Sequence, residues 1–125
     1  MITGLDHVLL AALPGTEPAL RAFYGDLLGM TEIAKPPALA ARGGCWFEAG
    51  TARLHLGADP DHRAARKAHP AFTVTDIDAL AARLTAAEVP VAWDHDLPGR
   101  GRFHSTDPAG NRLEFLEDTG DGVEP

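Results

Sequence analysis

The feature that most constrains this 125-residue chain is that one pattern of elements occurs twice along it. Leu5-Asp6-His7-Val8-Leu9 opens one half, and Lys67-Ala68-His69-Pro70-Ala71 opens the other with histidine in the same place. Near the ends of the halves, Arg53-Leu54-His55-Leu56 matches Arg112-Leu113-Glu114-Phe115. From His7 to His69 is 62 positions, and from His55 to Glu114 is 59. Offsets this close fit a duplicated module with small loop differences. Each half reads as strand–helix–strand–hairpin.

Residues 5–12 read as a buried strand that Pro14 and Gly15 end. Thr16 is placed to cap a helix running to about Leu28, with Leu20, Phe23, Leu27 and Leu28 on its buried face and Gly29 closing it. A short strand over 31–34 and a loop over 35–42, with Pro36 and Pro37, lead to a hairpin of 44–48 and 52–56. In the second half, 68–75 is a strand. Asp76 caps a helix to about Ala87, with Ile77, Leu80 and Leu84 inward. A strand over 91–94 and a loop over 97–102 follow. The last hairpin, 102–106 and 111–117, turns on Asp107-Pro108-Ala109-Gly110. The expectation is one α+β domain over 1–118, with module one about 1–57, a linker about 58–67 and module two about 68–118. An acidic tail, 119–125, frays from Asp118 onward.

Eighteen acidic residues against eleven Lys and Arg give a net charge of −7, which disfavours binding to a phosphate backbone. The single cysteine, Cys45, rules out an intrachain disulfide and fits a reducing, cytoplasmic setting. No signal-peptide pattern opens the chain, and no apolar run reaches the roughly 20 residues that cross a bilayer. Neither nucleic acid nor membrane is therefore an expected partner. The cationic groups Arg63, Arg66 and Lys67, and Arg100 and Arg102, read as solvated surface, with orientation of one small anion as the functional alternative.

Two equivalent units tend to pair about a pseudo-twofold axis and to turn their first and last strands to a central cleft. The candidates on those strands are His7, His55, His69 and Glu114. Imidazole and carboxylate suit a divalent first-row metal, and an octahedral ion on these four keeps two positions for water or a chelating substrate. Strand alternation puts Arg53 with His55, and Arg112 with Glu114, while Leu54, Leu113 and Phe115 face the helices. Each of these residues taken alone also reads as structural or surface. Trp46 reads as pocket wall and His104 as a substrate contact or acid–base group. Asp94-His95-Asp96, beside Pro98 and Gly99, reads as solvated loop, and Cys45 as a small buried residue. No phosphate-binding glycine loop is present.

At these residues the chain resembles the vicinal oxygen chelate superfamily (glyoxalase, bleomycin resistance protein and dioxygenase). Leu5-Asp6-His7-Val8 is similar to its first strand. Phe23-Tyr24-Gly25-Asp26-Leu27-Leu28-Gly29-Met30 is similar to its FY-x-x-x-LG-(M/F) helix end. Asp107-Pro108-Ala109-Gly110-Asn111-Arg112-Leu113-Glu114 is similar to its DP-x-G-x-x-x-E hairpin. The resemblance implies two βαβββ modules related by a pseudo-twofold, with mixed sheets curling around a central cleft. It implies a divalent metal (Ni, Co, Mn, Fe or Zn) on His7, His55, His69 and Glu114, with Glu114 and His55 also handling protons. Trp46, Arg63, Arg66, Lys67, Arg102 and His104 would contact substrate. His55 stands where glyoxalase I enzymes commonly carry a carboxylate. The implied function is Lewis-acid activation of a small substrate chelated through vicinal oxygens, as a lyase, isomerase or oxygenase. The alternative is a metal-free protein of the bleomycin-resistance type that sequesters a small molecule. A homodimer is implied in either case.

Overall fold

The computed structural model describes residues 1–120. The chain divides into two compact units, Met1–Ala64 and the remainder from Ala65. Each unit holds one four-stranded mixed sheet, so the protein is α+β and built of two modules.

In the first unit the elements are β1 (Val8–Ala12), α1 (Glu17–Leu20), a π-helical stretch (Arg21–Leu27), β2 (Thr31–Ile33), α2 (Pro37–Ala40), β3 (Cys45–Ala49) and β4 (Ala52–Ala58). The strand order is β1-β4-β3-β2, with β1 parallel to β4 and the other pairs antiparallel. The second unit has β5 (Ala71–Val74), α3 (Ile77–Ala86), β6 (Ala92–Trp93), β7 (Arg102–Thr106) and β8 (Arg112–Glu117). Its order, β5-β8-β7-β6, and its pairing senses repeat those of the first.

Alternation along the strands explains both cores. Cys45, Phe47, Leu54 and Leu56 lie on one face of the first sheet and are buried with Leu20, Phe23 and Tyr24. Phe103, Leu113 and Phe115 do the same in the second, with Ile77, Ala81 and Leu84 of α3. Burying each large side chain is worth about 1.5–3 kcal/mol, so these inner faces fix which side of each strand looks outward.

Several elements depart from the sequence reading. The single helix expected over 16–28 is one α-turn followed by a wider π stretch, seen in the bond from Leu28 N–H to Phe23 O at 2.9 Å. This stretch buries two adjacent rings, Phe23 and Tyr24, which meet edge to face. The Thr16 hydroxyl does not cap; it donates to Leu13 O at 2.7 Å. Within the loop expected over 35–42, Pro37 opens a one-turn helix, at a position where its missing N–H costs no bond. Asp76 caps α3 as expected, accepting from Ala79 N–H at 3.1 Å. Residue 118 is tied down, its N–H donating to Val74 O at 2.7 Å, and the tail from 121 lies outside the described residues.

Candidate metal centre and ring-lined pocket

The second sheet builds a polar cluster from its register. The turn between β7 and β8 is held by Asp107, whose carboxylate accepts from the N–H groups of Ala109 and Asn111 at 2.8 Å each and from Asn111 Nδ2 at 3.0 Å. Gly110 supplies the positive φ of 82° that closes it. This turn sets His104 directly opposite Glu114. On the other side of β8, Glu114 N–H donates to Pro70 O at 3.1 Å, which brings the neighbouring His69 alongside.

The result is three ligand-type groups, His69, His104 and Glu114, whose donor atoms all lie within 4.8 Å of one another. His69 Nε2 is 2.8 Å from Glu114 Oε1, and His104 Nε2 is 3.5 Å from the same oxygen. His69 Nδ1 lies 2.6 Å from Lys67 O. A carbonyl only accepts, so Nδ1 carries the proton and Nε2 is aimed at the carboxylate. An anionic oxygen at that distance calls for a proton or a cation on Nε2. Ligand atoms on one first-row ion sit roughly 3.0–3.5 Å apart at bond lengths near 2.1 Å; the two distances to Glu114 Oε1, 2.8 and 3.5 Å, are near that spacing, and the donor set fits such an ion in chemistry.

A second layer orients the carboxylate. Arg102 Nη1 is 3.5 Å from Glu114 Oε2, and its Nη2 is 2.7 Å from Asp94 Oδ2. Asp94 Oδ1 in turn accepts from Asp96 N–H at 2.8 Å. Burial raises the Glu114 carboxyl, but the His69 hydrogen bond and the Arg102 and His104 charges outweigh it and hold the group below its ordinary value. The Asp94 carboxyl is lowered first by the Asp96 N–H, which with Arg102 outweighs the opposing effect of burial. Arg102 Nε is buried without a hydrogen-bond partner among the described residues, a cost of about 1–3 kcal/mol of the kind that functional sites carry.

The equivalent face of the first sheet is different. Trp46 stacks on His55 at 3.9 Å and His55 on His7 at 4.0 Å, with ring planes within 17° of parallel. Burial first, then the neighbouring His7, keeps His55 below the ordinary imidazole value. These rings, with Leu9, Ile33 and Leu39, line a pocket of about 740 Å³ whose rim carries Lys35 and Arg42.

Of the residues read from the sequence, the structure thus brings His69, Glu114, His104 and Arg102 together in the second unit, and His7, His55 and Trp46 together in the first. Arg63, Arg66 and Lys67 are exposed on the segment between β4 and β5 and do not line the first-unit pocket. Cys45 is buried, and burial pushes its thiol up to about 11. Sequence reasoning missed Asp94, whose backbone N–H bonds Arg102 O at 3.0 Å and continues the β6–β7 ladder. It also missed Lys35 and Arg42.

A repeated mixed sheet of this order, with imidazole and carboxylate donors on one outward face, defines a glyoxalase-type fold. The chain belongs to the Glyoxalase/Bleomycin resistance protein/Dioxygenase superfamily, whose family model matches residues 4–115. A glyoxalase family protein from Bacillus anthracis is 45% identical, with a TM-score of 0.90 over 95% of this chain and 98% of that one. Lactoylglutathione lyase from Agrobacterium tumefaciens is 25% identical, with a TM-score of 0.73 over 98% of each chain. A fosfomycin resistance protein from Listeria monocytogenes shares the fold at 18% identity, with a TM-score of 0.77 over 95% of this chain and 96% of that one. No curated protein matches the chain. No helix among the described residues is long and apolar enough to cross a membrane.

Proposed function

We propose that the protein is a divalent-metal-dependent enzyme that activates a small, oxygen-bearing substrate. The observation that carries this reading is the convergence of two imidazole nitrogens and the Glu114 carboxylate on one sheet face, with donor atoms within 4.8 Å. Superfamily membership and the likeness to a lactoylglutathione lyase support it.

His69, His104 and Glu114 would hold the ion. Lys67 O keeps the His69 tautomer, and Arg102, itself held by Asp94, turns Oε2 of Glu114 aside so that Oε1 faces the imidazoles. Such an ion supplies Lewis acidity, which polarises a bound oxygen and stabilises negative charge developing on it. The unpartnered Arg102 Nε is a donor at the cluster's side. The set read from the sequence, His7, His55, His69 and Glu114, shares His69 and Glu114 with the set above and differs from it in lacking His104.

Elemental analysis of protein purified without a metal-binding tag tests it. The expected result is about one divalent ion per chain, lost in both His69→Ala and Glu114→Ala. Loss in His104→Ala but not in His7→Ala or His55→Ala places the third ligand on β7. A parent that takes up no ion, or full metal content in both His69→Ala and Glu114→Ala, contradicts the reading.

A further inference from the structure

We propose that Asp94 is a positioning residue of the second sheet's cluster: it holds the Arg102 guanidinium back from Glu114 and so leaves that carboxylate open to an ion. The proposal deepens the metal reading and rests on it for the ion. The restraint itself involves protein groups alone, all of them in the second unit.

The ladder brings these groups together. β6 and β7 pair antiparallel, with Ala92 opposite His104 and Trp93 opposite Phe103. Continuing that register sets Asp94 opposite Arg102, and Asp94 N–H donates to Arg102 O at 3.0 Å. Arg102 and His104 are two positions apart on β7, so they share its outward face with Glu114, the partner of His104 on β8. A guanidinium on that face has two carboxylates within reach, and it divides unequally between them. Nη2 is 2.7 Å from Asp94 Oδ2, whereas Nη1 is 3.5 Å from Glu114 Oε2. The first is a short charge-assisted hydrogen bond, and the second is longer than such a bond.

Of the two ends of the stronger pair, Asp94 is the fixed one. Its N–H is tied to the ladder, and its Oδ1 accepts from Asp96 N–H at 2.8 Å. Arg102 sits on a long stem, and its Nε is buried with no hydrogen-bond partner among the described residues. The guanidinium thus has a donor in reserve. Freed from Asp94, it can close on Glu114 with two parallel N–H···O bonds, the geometry that matches guanidinium to carboxylate. Glu114 is buried, so salt and water screen such a pair little. An ion would then have to displace the guanidinium to reach its ligand. A direct route from Asp94 to the imidazoles is weaker, because His104 Nδ1 lies 4.0 Å from Asp94 Oδ2, beyond hydrogen-bond distance.

Dissociation constants for Zn²⁺ are measured with a competing chelator on EDTA-stripped protein, for the parent, Asp94→Asn, Arg102→Met and the double variant. Near-ultraviolet circular dichroism reports that each is folded. The charge lost from Asp94 weakens Zn²⁺ alike in both backgrounds, and the restraint adds to that loss only where Arg102 is present. Asp94→Asn is expected to weaken Zn²⁺ about thirtyfold in the parent and about threefold in Arg102→Met, a coupling of about tenfold. Equal weakening in both backgrounds, or none in either, overturns the proposal. Urea denaturation of metal-free protein reads the same restraint without an ion. The coupling between Arg102→Met and Glu114→Gln, taken as a factor in the unfolding equilibrium constant, should rise about tenfold when Asp94→Asn is added. No rise overturns the restraint. A parent that takes up no Zn²⁺ but shows the rise supports the restraint and contradicts the metal reading, so the two failures are distinct.

Discussion

The two sheets run through the same strand order, and the positions that match in them carry opposite chemistry. In the second sheet His104 faces Glu114 across the ladder, and in the first Trp46 faces His55 at the corresponding place. One pair gives a carboxylate held by imidazoles and Arg102; the other gives a stack of aromatic rings over an open pocket. The shared part is the buried face, where Leu54 and Leu113 are both fully covered. A duplicated backbone thus sets where side chains point, and a handful of outward positions decide what each half can do.

If the buried faces are equivalent, Leu54→Ala and Leu113→Ala should each cost about 2–5 kcal/mol, measured by urea denaturation. A large loss for one and a negligible loss for the other would break the comparison at its base. Gly44→Ala belongs with them, since a Cβ there meets Leu56 O at 2.0 Å and the backbone φ is +82°.

The outward faces should differ. Glu114→Ala removes the partner of His69 and Arg102 and should cost about 1–3 kcal/mol in metal-free protein. His55→Ala removes a stacked ring that makes no ion pair and should cost less, of order 0.5–1.5 kcal/mol. The helix starts sharpen the contrast further. Asp76→Ala loses a cap and should cost about 1 kcal/mol, whereas Thr16→Ala loses no cap and should cost less than half of that.

Acid separates the halves by window. His55 is held below the ordinary 6.5, so the unfolded chain takes a proton first and stability falls as pH drops below about 6.5. Glu114 is held below the ordinary 4.5, so its contribution is complete above that value and is lost as pH falls through the lower folded one. Denaturation midpoints across pH should show His55→Gln flattening the upper limb and Glu114→Gln the lower. The smallest effect is kinetic. With its thiol pushed up to about 11 and buried, Cys45 should react with a disulfide reagent at neutral pH only as fast as the protein opens.

Much of this scaffold is legible in the residues themselves. The Asp107-Pro108-Ala109-Gly110 turn, the Asp76 cap and the alternation around Leu54 and Leu113 are local rules that the fold obeys. What escapes local reading depends on register or on side-chain partners. His104 gains its place beside Glu114 from a ladder that only the completed turn fixes. Asp94 sits next to Pro98 and Gly99, whose loop signal hides a residue that extends β6. The π stretch follows from packing Phe23 and Tyr24 inward together, which a hydrophobic period does not reveal.

The most direct measurement is a titration of Zn²⁺ into metal-free protein carrying ¹⁵N-labelled histidine, observed by long-range ¹H–¹⁵N correlation. The Nε2 signals of His69 and His104 should move together and stop moving near one equivalent, and neither should respond in Glu114→Ala. Both signals standing still through several equivalents would contradict a metal centre on the second sheet.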